Sequence, residues 1–178
     1  MSTLKVSTIS PLGTDATKTI TIGSASNGDV AAGVFTNTPS FSAKLSSDQS
    51  IGNASYTKLS FATEQWDSDS KYDASTNYRF TPTIAGKYHI DLNIMYLNLN
   101  NTNHRIQLAI YKNGSFYAMV GDLAAMTDSS GDPSLHIGID LELDADDYVE
   151  AYTYQNTGGS VSVESDYSFF SGYRIVGA

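Results

Sequence analysis

The sequence contains no cysteine. Disulfides, thiolate catalysis and cysteine-ligated zinc are therefore excluded. The compartment stays open, because a cysteine-free chain works in either redox environment. Basic side chains are few: ten Lys and Arg stand against nineteen Asp and Glu, for a net charge of −9. Phosphate binding needs a basic face, so nucleic acid is not expected as a partner. Long apolar runs are missing too. The N-terminus, MSTLKVSTISPLGTDATKTITIG, has no apolar core of signal-peptide length. No stretch approaches the roughly 20 apolar residues of a membrane helix, so membrane insertion is not expected. Leu, Glu, Lys and Arg, the usual helix material, are scarce.

What is present favours strands and turns. Of 178 residues, 24 are Ser and 17 are Thr, with 14 Gly, 12 Tyr and 7 Phe. The hydrophobic share of 40% is enough for a core. At roughly 100–200 residues per domain, the length allows one domain and a tail. Residues 1–36 read as that tail. They are rich in Ser, Thr, Gly and Ala, and Lys5, Lys18, Asp15 and Asp29 leave them with no net charge. They have too little apolar mass for a core, and read either as a flexible leader or as an anchor that orders against a partner.

From residue 37 the alternation has a period of two. Tyr88, Ile90, Leu92, Ile94 and Tyr96 take one face, and His89, Asp91 and Asn93 the other. Leu135, Ile137, Ile139, Leu141 and Leu143 alternate with His136, Gly138, Asp140, Glu142 and Asp144. Phe41 to Leu45, Tyr56 to Gln65, Ile106 to Ile110, Val149 to Tyr154 and Phe169 to Val176 read as further strands, and Asn113-Gly114 as a hairpin turn. Only Gly121 to Met126 offers a helical turn. The expectation is an all-β jelly-roll sandwich of about ten strands over residues 37–178, preceded by a short extended segment.

The segment from Phe61 to Leu92 resembles the signature of the complement component one-q globular head, a branch of the tumour necrosis factor-like jelly rolls. Phe61, Asp67, Tyr72, Phe80, Gly86 and Tyr88 follow that pattern, with one extra residue in the Thr76-Asn77-Tyr78 turn. Phe170-Ser171-Gly172-Tyr173 is similar to the family's last strand. The aromatics read as core, and Gly86 as a tight turn where a side chain would clash. The motif specifies a fold and no chemistry. The resemblance implies a homotrimeric binding head. In some relatives calcium sits near the trimer apex, just before the last strand; here Glu164 and Asp166 are the metal candidates in that region.

The leader resembles the start of fibre and other structural proteins of tailed bacteriophages. That resemblance implies a non-enzymatic virion surface protein, attached to other virion proteins through residues 1–36 and released by host lysis. Its trimeric head would bind a host surface glycan or protein as a tail fibre, through loops 65–79, 98–104 and 122–134. A capsid decoration with a structural role and a cellular binding module are the alternatives.

Enzyme motifs are not found: there is no G-x-S-x-G, no phosphate loop and no H-E-x-x-H. His89, His104 and His136 are widely spaced and read as surface or inter-subunit polar residues. Asp67, Asp69 and Asp73 resemble half a calcium loop without its glycine, and Asp144, Asp146 and Asp147 form a second polar turn. No cofactor is expected beyond that calcium. From Gly121 to the end there are eleven acidic residues and one basic, Arg174. Tyr148, Tyr152 and Tyr154 share one strand face, while Tyr117 and Trp66 read as lying in or near loops; such aromatics suit a subunit interface or a sugar ring.

Overall fold

The computed structural model describes residues 37–99, 104–121 and 131–175. The chain divides between Thr36 and Asn37. The 1–36 segment lies outside the described residues, as do most of the Gly121–Met126 stretch and parts of loops 98–104 and 122–134.

The described residues form thirteen strands and no helix: β1 (Ser40–Lys44), β2 (Gln49–Ile51), β3 (Ser55–Lys58), β4 (Thr63–Asp67), β5 (Tyr72–Asp73), β6 (Arg79–Phe80), β7 (Gly86–Leu97), β8 (Ile106–Lys112), β9 (Ser115–Gly121), β10 (Ser134–Leu143), β11 (Val149–Gln155), β12 (Val161–Val163) and β13 (Phe169–Arg174). The excess over ten comes from two- and three-residue pieces, β2, β5, β6 and β12. One sheet runs β2-β12-β7-β13-β1-β4, with β10 on the far side of β7; the other runs β5-β6-β11-β8-β9, with β3 beside β11. Every pairing among them is antiparallel. This is the expected jelly-roll sandwich.

The period-two pattern sets which side of each strand faces the core. Tyr88, Ile90, Leu92, Ile94 and Tyr96 of β7 are fully buried, while Lys87, His89, Asp91 and Asn93 point outward. β10 runs beside β7 for its whole length, from Ser134 opposite Met95 to Leu143 opposite Gly86, with His136, Gly138 and Glu142 exposed. From Lys87 to Ile94 and from Leu135 to Leu143 the apolar side chains therefore face inward and the polar ones outward. A lipid-facing barrel has the reverse arrangement.

The motif residues meet in the core. Phe41 stacks on Tyr72 and Phe80 at centroid distances of 4.8 and 4.6 Å, and Phe170 meets Phe41 edge-on at 4.9 Å. Phe61 packs on Phe170, and Tyr88 on Phe80. Such pairs contribute about 0.5–1.5 kcal/mol each beyond area burial. The two tyrosine hydroxyls stay satisfied: Tyr72 Oη donates to the Phe61 carbonyl and Tyr88 Oη to the Ile84 carbonyl. Burial raises both phenols, that of Tyr88 up to about 12. Asp67 belongs to the turn that presents Tyr72, because its carboxylate accepts the Tyr72 N–H at 2.7 Å.

Two expectations are corrected here. Gly86 opens β7 opposite Leu143 and is not in a tight turn; its close neighbour is the flexible Arg174 guanidinium. The run from Tyr56 to Gln65 is two strands in different sheets: β3 pairs with β11 and β4 with β1, while Leu59 and Phe61 are buried in the crossing. Trp66 and Tyr117 lie near loops as expected, in β4 one residue before its end and in β9 two residues after its start.

Candidate functional site

The cross-strand register of β7 and β10 creates two reciprocal histidine–aspartate pairs. His89 on β7 shares a hydrogen bond with Asp140 on β10, Nδ1 to Oδ1 at 2.8 Å. His136 on β10 is bonded through Nε2 to Asp91 on β7. Gly138 sits between the pairs, opposite Asp91. Each imidazole is thus tied to a carboxylate on a solvent-facing sheet. His104 departs from the surface reading. It is only 2% exposed, and among the described residues neither ring nitrogen has a hydrogen-bond partner.

The aspartate clusters are occupied by their own turns. Asp73 accepts N–H groups of Ser75, Thr76 and Asn77, and the Thr76 and Ser75 bonds chiefly hold its carboxyl well below the usual range. Asp147 meets Lys112 Nζ at 2.8 Å. That bond, with those of Asn113 and the Asp144 N–H, lowers its pKa to about 2. Glu164 follows β12. Burial, then the charges of Asp166, Asp48 and Asp132, raise its pKa. Among the described residues no group of three or more His, Asp or Glu side chains is arranged to hold a metal ion.

Two aromatic surfaces lie on opposite sides of the sandwich. On the first sheet, Trp66 is 57% exposed and stands at the end of a row that crosses the strands through Ser42, Ser171, Asp91 and Gly138. Tyr173, also exposed, packs against His89 in the next row, and exposed Tyr167 lies just before β13. On the second sheet, Tyr152 stacks on Tyr111 at 4.1 Å, Tyr154 meets Tyr56 at 5.3 Å, and Phe116 packs edge-on against both Tyr56 and Tyr111. Tyr148 sits apart, beneath the Arg79 guanidinium at 4.2 Å. Sequence reasoning identified Tyr152 and Tyr154. It missed Tyr56, Tyr111 and Phe116, because only the pairing of β3, β8 and β9 around β11 brings them together.

Solved structures with the same fold include Eiger TNF from S. frugiperda (15% identity, 78% of this chain and 92% of that one, TM-score 0.56). The globular domain of zebrafish complement 1qA (16%, 77% and 96%, TM-score 0.54) and murine APRIL (8%, 76% and 98%, TM-score 0.57) are similar as well. At these identities the likeness establishes the jelly roll alone. No curated protein matches this sequence.

A family model matches residues 2–174, that of the type IX secretion system membrane protein PorP/SprF. It overturns the expectation of a tailed-phage virion protein, whether tail fibre or capsid decoration, displayed on the virion surface and released by lysis. The leader that suggested a phage is short and built of Ser, Thr, Gly and Ala, a composition many unrelated segments share. A match running from residue 2 to residue 174 outweighs it, and the chain belongs to the PorP/SprF family of type IX secretion system membrane proteins.

Proposed function

We propose that this protein is a non-catalytic component of a bacterial type IX secretion system, acting at the membrane through binding and assembly. The family match over residues 2–174 carries this reading. The site geometry agrees with it. His89 and His136 are each bonded to a carboxylate on an exposed sheet face, and His104 is buried without a polar partner among the described residues. A general base needs a substrate proton within reach, and none of the three is placed beside a nucleophile in a cleft.

The jelly-roll unit meets the membrane from the side of its partner proteins. Lys87, His89, Asp91 and Asn93 of β7 and His136, Asp140 and Glu142 of β10 face outward and are polar, unlike the lipid-facing band of a barrel, and among the described residues no helix is long and apolar enough to cross a membrane. It assembles as a homotrimer, with the Trp66, Tyr167 and Tyr173 surface of each copy covered by its neighbour; exposed aromatics of this kind are favoured interface anchors.

The test is deletion of the gene in the producing bacterium, followed by quantification of type IX cargo in the culture medium. Loss of secreted cargo, its retention in the cells and rescue by the full chain are expected. Normal secretion in the deletion strain would overturn the reading.

A further inference from the structure

The outer face of the second sheet has a composition unlike the rest of the surface. Its rings are Tyr56, Tyr111, Phe116, Tyr152 and Tyr154, and Met119 stands opposite Ala109 beside them. Every ring is in contact with at least one other at centroid distances of 4.1–6.0 Å. The platform is therefore set before a ligand arrives, and little side-chain freedom remains to be lost. Phe116 rises furthest into solvent, at 51% exposure.

Charge narrows the choice of occupant. The chain carries a net charge of −9, yet this face is neutral. Its charges balance: Lys58 and Glu150 are paired with each other at 2.5 Å, Arg79 lies opposite Glu150 and Asp73 opposite Arg79, and Tyr56 Oη donates to Gln107 Oε1 at 2.7 Å. A surrounding negative field repels an anionic lipid surface or a nucleic acid. It is indifferent to an uncharged sugar. A sugar ring offers an apolar C–H side to lie against aromatic carbon, and a rim of hydroxyls to meet phenolic hydroxyls.

We propose that the outer face of the second sheet binds an uncharged polysaccharide, with Phe116, Tyr111 and Tyr152 as stacking rings and Tyr154 as a hydroxyl donor at the rim. The face is the open outer side of a sheet, so it takes a stretch of polymer and not a buried monosaccharide. Several copies in one assembly multiply a weak contact through avidity. This site is independent of the role in secretion, and it faces away from the Trp66 surface.

The test is native affinity electrophoresis of the full chain through gels containing mannan, dextran, a β-1,3-glucan or hydroxyethylcellulose, with alginate as the anionic control. Retardation is expected in at least one neutral gel and not in alginate. Phe116→Ala and Tyr111→Ala each weaken it about tenfold, the equivalent of about 1.4 kcal/mol. Tyr152→Phe keeps stacking and weakens it less, and Glu142→Gln on the opposite sheet leaves it unchanged. Circular dichroism checks that each variant is folded. The proposal fails if no neutral gel retards the protein, or if folded Phe116→Ala and Tyr111→Ala migrate as the parent does. It also fails if Phe116→Ala lowers the sedimentation mass, which would make the face a contact between copies. Binding to phosphatidylglycerol vesicles in place of the glycans would assign the face to a membrane and overturn it equally.

Discussion

Gly172 lies so close to Ile90 that a Cβ on it would stand 2.6 Å from Ile90 Cδ1 and 2.9 Å from Phe41 Cε1. It would also stand 2.9 Å from the His89 carbonyl, which cannot rotate away. Gly172 is therefore required where β13 passes between β7 and β1 over the aromatic nest. Gly172→Ala should overpack this point and destabilise the protein by about 1–3 kcal/mol. Gly159, with nothing within 4 Å of its Cβ position, is the comparison. Gly159→Ala should stay within about 0.5 kcal/mol of the parent. Urea unfolding of both variants measures the difference; equal midpoints would mean that β13 shifts freely.

The Lys112–Asp147 pair ties β8 to the turn before β11. The Asp147 carboxyl is held at about 2, below its ordinary value of 3.8, first by the Lys112 bond. A lowered folded-state value gives stability that is fully present above the unfolded value and lost as pH falls through the folded one. The contribution should therefore fade between about pH 4 and pH 2. Both partners are partly solvated, so Asp147→Asn should cost only about 1 kcal/mol at pH 7. Thermal melts from pH 7 to pH 2 should show the parent and variant curves converging at the acid end.

The surface around Trp66 tests the oligomer. Three 19.1 kDa chains make a particle of 57.3 kDa. Trp66→Glu places a charge in a surface that association would dry, and adds a further carboxylate to a chain already at −9. Sedimentation equilibrium should give the trimer mass for the parent and 19.1 kDa for the variant, with unchanged circular dichroism. A parent that sediments as a monomer would remove the homotrimer from the proposed function.

The sandwich was legible in the sequence wherever one strand face is dry and the other wet. Tyr88 to Tyr96 and Leu135 to Leu143 alternate because β7 and β10 have a core on one side only. The signature aromatics were legible as core for the same reason. The sheet change between Lys58 and Thr63 was not, because Leu59 and Phe61 continue the same alternation while the chain crosses the core. Nor were the two histidine–aspartate pairs, which depend on His89 lying opposite Asp140, a register that no local pattern encodes. Function was the least legible part. The motif fixes a jelly roll that serves many activities, and the leader offered only composition.

His104 shows how far local reading can mislead, and it supplies the last test. Asn103 and Arg105 flank it, so the segment reads as a polar loop. The ring is nevertheless buried to 2% exposure, with both nitrogens unpartnered among the described residues. A buried polar group without a hydrogen bond costs about 1–3 kcal/mol, whereas an apolar side chain of similar volume carries no such penalty. His104→Leu should therefore raise stability by about 1 kcal/mol, or Tm by about 2–4 °C for a chain of this size. The neutral isostere His104→Gln should not, since it keeps the unsatisfied polar atoms. Differential scanning calorimetry at pH 7 distinguishes them. A destabilised His104→Leu beside a parent-like His104→Gln would mean that the imidazole has a polar partner in solution, and that this end of the sandwich is held by it.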